Sequence, residues 1–312
     1  MKRLLITGYS GFVGSNLVTL LNDNNQLNLL GRKPSNLGCV YTHSIDSKSS
    51  YADALVNVDA VVHCAARVHV MDDVVSDPLN EFRAVNTLGT LNLAKQAAQS
   101  GVKRFIFLSS IKVNGESTTG KAPFTTSDKS AAEDPYGISK AEAEQQLLEL
   151  GKQTGMEIVI IRPPLVYGEG VKANFASLMR FVDKGLPLPF RAIKSNKRSL
   201  VSVYNLVDLI MVCIEHPKAA NQVFLASDDY DLSTAEMVAL MANVQNKKNI
   251  ALPMPVWCFK LAAKLFNKND IIDRLTGSLQ LDISHTKSTL GWTPPYSVEY
   301  GFKLAAKKPL TK

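Results

Sequence analysis

Tyr136 and Lys140 stand four residues apart in the stretch PYGISK, inside a run of helical character. One helical turn separates them, so the two side chains share a face. A free phenol titrates at about 10, too high for a base at neutral pH, and a neighbouring ammonium favours the phenolate. The pair is therefore suited to moving a proton to or from an oxygen. The same spacing also arises by chance on solvent-facing helices, where it does no chemistry. These six residues support both readings, and the rest of the chain has to decide between them.

A second group with chemical potential lies at residues 8–14, GYSGFVG. The apolar run RLLIT precedes it and the helical pattern GSNLVTLLND follows. Strand, glycines and helix in this order are the setting of a dinucleotide fingerprint. Gly8 permits the tight turn, Gly11 lets the backbone approach a pyrophosphate, and Gly14 lets helix and strand pack closely. The first turn of the helix then offers unpaired N–H groups to the anion. A plain glycine turn is the bland alternative.

The elements that must hold these groups alternate along the first half. RLLITG, QLNLLG, DAVVHCAA, KRFIFLSS and EIVIIRPP read as strands, and GSNLVTLLND, LNEFRAVNTLGTLNLAKQAAQSG and YGISKAEAEQQLLELGKQTG as helices. Continuous apolar strands predict a parallel sheet covered on both faces, and the alternation predicts right-handed crossovers. The expected fold class is α/β, a Rossmann-like doubly wound parallel sheet with a smaller C-terminal substrate domain. Beyond Pro163 the pattern loosens into KGLPLPF, ALPMPVW and GWTPPYS, while RSLVSVYNLVDLIMVCIEHP and NQVFLAS are regular enough to return to the sheet. The expected division is one domain over 1–165, with return segments about 198–226, and a second over about 166–197 and 227–312. VWCFKLAAKLF is amphipathic, with Trp257, Leu261 and Leu265 on one face and Lys260 and Lys264 off it. It is read as a helix packed on the second domain in preference to a membrane-surface helix.

Composition narrows the class. With 312 residues, 46% of them hydrophobic, the chain can bury a large core, which excludes a disordered chain. No apolar run approaches the roughly 20 residues of a membrane span. The opening MKRLLITG meets Gly8 too soon for a signal-peptide core, so a soluble, cytoplasmic protein is expected. The net charge of +7 is dispersed with no basic–aromatic ladder, which argues against nucleic acid and for an anionic small molecule. Cys39, Cys64, Cys213 and Cys258 are scattered without metal-ligand spacing; no metal is expected, and buried reduced thiols are.

Taken with G-x-x-G-x-x-G, the stretch PYGISK resembles the catalytic segment of the extended short-chain dehydrogenase/reductase superfamily. Within it the chain is similar to the NAD-dependent epimerase/dehydratase family, in the UDP-glucose 4-epimerase-like subgroup that also contains 4-keto-sugar reductases. DAVVHCAA, NTLGT, RPPLVYG and RSLVSVYNLVDL match over essentially the whole length. The resemblance implies a catalytic set of Ser110, Tyr136 and Lys140, Ser110 being preferred to its neighbour Ser109. It implies cofactor contacts from Gly8, Gly11, Phe12, Val13, Gly14, Ile45, Asp46, Ala65, Ala66, Arg67, Asn86, Tyr136, Lys140 and Pro163. Asp46 would meet the adenine and Asn86 would buttress the site. Asn174, Arg198 and Arg274, with Ser110, would hold a UDP-sugar, the guanidiniums suiting its diphosphate. The first domain would bind NAD(P) and the second the nucleotide sugar. RVHVMDD places Arg67, His69 and Met71 near the cofactor, His69 equally suiting a packed loop. A homodimer through the helices around 77–99 and 136–150 is also implied.

Cofactor choice turns on the end of the second strand. An acid there bonds the ribose 2′-hydroxyl and repels a 2′-phosphate. The chain instead reads NLLGRKP, with Gly31 and Arg32 at that place. Arg32 and Lys33 suit a 2′-phosphate, so the residues favour NADP over NAD. On that ground the reading tips slightly to a UDP-4-keto-hexose reductase. A UDP-hexose 4-epimerase acting on UDP-glucose or UDP-GlcNAc is the near-equal alternative, and a non-catalytic NADP-binding regulator a minor one. Sugar dehydration is discounted, because Ile111 and Lys112 follow Ser110 where dehydratases carry Asp-Glu.

Overall fold

Side chains alternate between the two faces of each central strand, and both faces are apolar. Leu4 and Ile6 enter one buried cluster and Leu5 the other; Val62 and Val61, Ile106 and Phe105, and Ile161 and Ile160 divide in the same way. A strand with two greasy faces is stable only between two layers of helix, and this is what the computed structural model shows. It describes residues 1–68, 77–171, 173–259, 261 and 269–307.

The chain runs β1 (Lys2–Thr7), α1 (Phe12–Leu21), β2 (Asn25–Leu30), β3 (Cys39–Tyr41), β4 (Ala60–His63), α2 (Pro78–Phe82), a π-helical stretch Arg83–Gly89, α3 (Thr90–Gln99), β5 (Arg104–Leu108), α4 (Pro135–Thr154) and β6 (Glu157–Arg162). It continues through β7 (Leu165–Tyr167), α5 (Ala173–Asp183), β8 (Leu200–Ser202), α6 (Val203–Glu215), β9 (Gln222–Leu225), α7 (Thr234–Val244), α8 (Asn269–Thr276), α9 (Ser284–Leu290) and α10 (Val298–Ala305). Seven parallel strands form one sheet in the order β3-β2-β1-β4-β5-β6-β9. The strand order reverses between β1 and β4, which opens a crevice beyond their C-terminal ends, the usual ligand position in such sheets. The expected doubly wound fold is observed; of the two expected return segments, 222–225 joins the sheet edge, while β8 pairs with β7 in a separate two-stranded parallel sheet. Among the described residues no helix is long and apolar enough to cross a membrane.

Several details differ from the sequence expectation. The long helix over 79–101 is interrupted by the π-helical stretch. β3 is three half-exposed residues with no apolar run to announce it. Cys213 is buried as expected, but Cys39 is exposed, and Cys64 and Cys258 are partly so. In the 256–261 segment the apolar face is turned outward: Trp257 and Leu261 are 66% and 57% exposed, while Phe259 is buried against Phe190. Stacking of the two phenyl rings at 6.0 Å sets that rotation. Leu265, Lys260 and Lys264 lie outside the described residues, as do His69 and Met71.

A third apolar cluster, separate from the two sheet faces, joins β7, β8, α5, α7 and α10 around Tyr167, Phe175, Met241 and Phe302. At its boundary with the sheet lies the buried carboxylate of Asp228. It accepts from the Tyr167 hydroxyl at 2.6 Å, the Ser202 N–H at 2.9 Å and the Asn205 amide at 2.6 Å. Burial raises its affinity for a proton, and these donors oppose the rise. Asp228→Ala strands three donors and should cost about 3 kcal/mol or more in urea unfolding. Tyr167→Phe, which removes one donor together with its need, should cost less.

Candidate active site

Backbone meets backbone at the reversal point. Gly8 has φ +67°, and a Cβ there would lie 2.6 Å from the Ala65 nitrogen. At Gly14 a Cβ would lie 2.2 Å from the Gly8 carbonyl oxygen. Gly11 donates to that carbonyl at 2.9 Å and stands before α1 without any side-chain cap. The first turn, Phe12 and Val13 included, thus leaves N–H groups facing the crevice. A loop that a methyl group would fill, ending at an uncapped helix, fits the pyrophosphate of a dinucleotide. β1 and β4 are also clamped by side chains: the Thr7 hydroxyl meets His63 Nδ1 at 2.7 Å and accepts from the Ala65 N–H at 3.1 Å. Burial keeps His63 neutral, pushed down to about 3.

The π-helical stretch explains the place of Asn86. Its side chain bonds both polar backbone groups of Arg67, at 2.8 and 3.0 Å, and donates to the Ser139 hydroxyl at 3.1 Å. Thr87 donates to the Ser139 carbonyl. The segment after β4, Ala65 and Ala66 included, is thereby tied to α4; π bulges are frequent at such sites. Gly89 makes room for Ile45 and Asp46, whose backbone lies about where its Cβ would be. Asp46 itself caps a turn: its carboxylate takes the N–H groups of Lys48 and Ser49 and the Ser49 hydroxyl. Its backbone is the part held against α3, by the Asn92 amide.

Two serines end β5, and their surroundings differ. Ser109 is 4% exposed and donates to Glu144. Ser110 is partly exposed; its hydroxyl oxygen accepts from the Lys112 N–H at 3.2 Å, which leaves its own proton to donate. Ile111 N–H bonds the carbonyl of Pro163 at 3.0 Å, bringing the end of β6 beside Ser110.

Tyr136 and Lys140 open α4, whose N-cap is Asp134. The ammonium of Lys140 donates to the Leu108 carbonyl at 2.9 Å and lies 4.3 Å over the Phe107 ring and 6.0 Å from the centre of the Tyr136 ring. Burial depresses Lys140 to about 8, while the nearby Cys64 and Glu144 oppose that shift. Tyr136 departs from the sequence expectation. Burial, with Asp134 adding to it, pushes its phenol up to about 12, so the protein's own charges hold it protonated at neutral pH.

Of the phosphate candidates, Arg198 and Arg274 come together. Burial first, then the positive charge of Arg274, holds the Arg198 guanidinium below its ordinary range. Arg198 has no carboxylate partner among the described residues; it donates to the Gly277 carbonyl at 3.3 Å. Asn196 bonds the carbonyls of Leu275 and Gly277, which fixes the end of α8, and with it Arg274, beside Arg198. Two neighbouring guanidiniums, neither paired with an acid among the described residues, suit an anion. Asn174 is exposed near the start of α5, and Arg32 is exposed after β2.

The model of the "NAD dependent epimerase/dehydratase family" matches residues 4–226. The chain belongs to this family. It is 58% identical, over 98% of its length and 95% of the relative's, to the UDP-glucose 4-epimerase of Vibrio cholerae. It is 30% identical, over 96% and 92%, to the N-acetyl-alpha-D-glucosaminyl-diphospho-ditrans,octacis-undecaprenol 4-epimerase of Escherichia coli O157:H7. The fold superposes on the UDP-N-acetylglucosamine 4-epimerase of Bacillus cereus with a TM-score of 0.81, covering 98% of both chains at 21% identity.

One cluster in this family member escaped the sequence reading. Glu144 and Arg162 form a buried ion pair at 2.5 Å, with Ser109 on the carboxylate and Asn114 Oδ1 accepting from the guanidinium at 2.9 Å. The signal was present: Glu144 lies one turn beyond Lys140 on α4, and Arg162 directly precedes Pro163.

Lys140 has a stability signature. Its folded-state value, about 8, lies below the ordinary 10.5, so the unfolded chain holds the extra proton between these values. Stability from this group is therefore lowest below about pH 8 and rises as pH climbs towards 10.5. Between pH 7.5 and 10 the wild type should gain stability relative to Lys140→Met in urea unfolding. A pH-independent difference would mean that Lys140 is not a buried, depressed ammonium.

Proposed function

We propose that the protein is a UDP-hexose 4-epimerase, acting on UDP-glucose or its N-acetylated counterpart. What supports this reading is the Lys140 ammonium, 6.0 Å from the centre of the Tyr136 ring and bonded to the Leu108 carbonyl two residues before Ser110, in a chain 58% identical to the Vibrio cholerae enzyme. Residues 1–165, with the return segments about 198–226, would bind the dinucleotide. Residues about 166–197 and 227–312 would bind the nucleotide sugar, and two copies would pair through α2–α3 and α4.

A bound NAD(P), when oxidised, would supply a hydride acceptor at C4 of the nicotinamide and a positive charge that favours the Tyr136 phenolate. The glycine loop would hold its pyrophosphate, and the Lys140 ammonium would keep Tyr136 in reach of the proton. Tyr136 takes the proton of the sugar 4-hydroxyl while Ser110 donates to that oxygen and fixes it. Arg198 and Arg274 grip the diphosphate, so the 4-keto sugar turns over without leaving. Tyr136 then returns the proton to the same oxygen, and the hydride held meanwhile by the dinucleotide would go back to the opposite face of C4. Dehydration lacks its acid and base: Lys112, after Ser110, is taken up by Glu116 and Asp134.

A second reading, NADPH-dependent reduction of a UDP-4-keto-hexose, is favoured by one observation: Gly31 and Arg32 follow β2 where a ribose-binding acid is expected. Purified protein should interconvert UDP-glucose and UDP-galactose, or their N-acetyl forms, with no added cofactor. Tyr136→Phe should lower that rate by about 100- to 10,000-fold while UDP binding persists. Turnover only of a 4-keto sugar, and only with added NADPH, would install the reductase. Arg198→Ala should weaken UDP-sugar binding by about 1.5–3 kcal/mol in calorimetry and leave dinucleotide binding nearly unchanged. Equal weakening of both would remove Arg198 from the sugar-nucleotide site.

A further inference from the structure

At the end of β2 the backbone packs against an aromatic ring. β2 ends at Leu30, and a Cβ on the next residue, Gly31, would lie 2.8 Å from Cε1 of Tyr9. The ring cannot swing aside. Tyr9 is 5% exposed, packs in the sheet core with Leu27 and Leu29, and its hydroxyl donates to the Lys33 carbonyl. Tyr9 thus fills, from the first glycine turn, the space that a side chain at position 31 would need. An acid there would read the ribose 2′-hydroxyl and repel a 2′-phosphate. No Asp or Glu stands between Leu30 and Ile45, and Asp46 is engaged with Lys48 and Ser49. Arg32 and Lys33 are exposed, and neither side chain enters an ion pair or hydrogen bond among the described residues.

We propose that Tyr9 decides which dinucleotide this chain holds. By enforcing glycine at position 31 it removes the ribose-reading acid, leaving Arg32 to recognise a 2′-phosphate, so that NADP(H) binds more tightly than NAD(H). The inference rests on the dinucleotide reading of the glycine loop. It is compatible with epimerisation, because the 2′ position takes no part in the chemistry.

Full-length protein stripped of nucleotide is titrated with NADPH and NADH, following nicotinamide fluorescence. NADPH should bind about ten- to a hundredfold more tightly, the worth of one or two charge-assisted hydrogen bonds. Arg32→Ala, a surface change, should abolish most of that margin by weakening NADPH alone. Tyr9→Gly combined with Gly31→Asp should reverse the order. Gly31→Asp alone should lower Tm by roughly a few degrees, because its side chain meets the pinned ring. Equal affinity for the two nucleotides in the wild type overturns the proposal and leaves the dinucleotide reading standing. Reversal by Gly31→Asp alone at unchanged Tm removes Tyr9 from it. Binding of neither nucleotide overturns both.

Discussion

The buried ion pair of Glu144 and Arg162 is the contact on which the geometry of the site depends. Their residues are 3% and 7% exposed, and burying two charges is costly unless every lone pair and N–H finds a partner. Ser109 and Asn114 supply the missing partners, and Asn114 is itself held by the Thr125 carbonyl. Three elements are thereby joined at one point: α4, the end of β5 and the end of β6. Along the rigid helix, Lys140 lies one turn from Glu144 and Tyr136 two turns. Ser110 follows Ser109, and Pro163 follows Arg162. The partnered charges thus fix the separations between the groups that must act together, and removing either would leave the other stranded.

A second constraint is the closeness of backbones around the crevice. Gly8, Gly14 and Gly89 each lie where a Cβ would overlap another chain segment, so the loops can close only on glycine. This part was legible in the sequence, because the demand for glycine is local and the strand and helix around it have their own periodicities. Ser109 against Ser110 was legible only through resemblance: both end the same strand, and what separates them is Glu144, 35 residues away in the chain. The π-helical stretch was not legible at all, since Asn86 bonds Ser139 across 53 residues and no helical pattern encodes that pull. For Asp46 the resemblance suggested an adenine contact, and the structure adds that its carboxylate is engaged in the local turn. The outward rotation of Trp257 and Leu261 was missed for a similar reason, because periodicity identifies an apolar face but not which side the tertiary structure covers.

The electrostatics of Tyr136 and Lys140 show how the site divides its labour. Burial works against charge on both residues, raising the phenol and lowering the ammonium. Lys140 keeps a route to its charge through the Leu108 carbonyl and the face of Phe107. Tyr136 has no comparable donor among the described residues, and Asp134 pushes it further towards the neutral form. A neutral phenol is poised to give a proton to an oxyanion, and it becomes a base only when further positive charge arrives. In the proposed mechanism, proton transfer would thereby be coupled to the charge of the dinucleotide, and the residues themselves do not commit the site to one direction.

The two ends of the crevice consequently answer separate questions. On the proposed reading, Ser110, Tyr136 and Lys140 would serve any exchange of hydride and proton at a sugar C4, whether the sugar leaves as an epimer or as a reduced product. They cannot distinguish the reactions, because both pass through the same ketone. What distinguishes them is whether the dinucleotide stays or exchanges, and that depends on the grip exerted at the glycine loop and beyond β2. Under the proposed cofactor reading, Tyr9, Gly31 and Arg32 would act there, remote from the reacting carbon. A chain can therefore resemble an epimerase closely in its catalytic residues while its adenosine pocket follows another rule, and the two features can vary independently because no contact among the described residues couples Tyr9 to Tyr136.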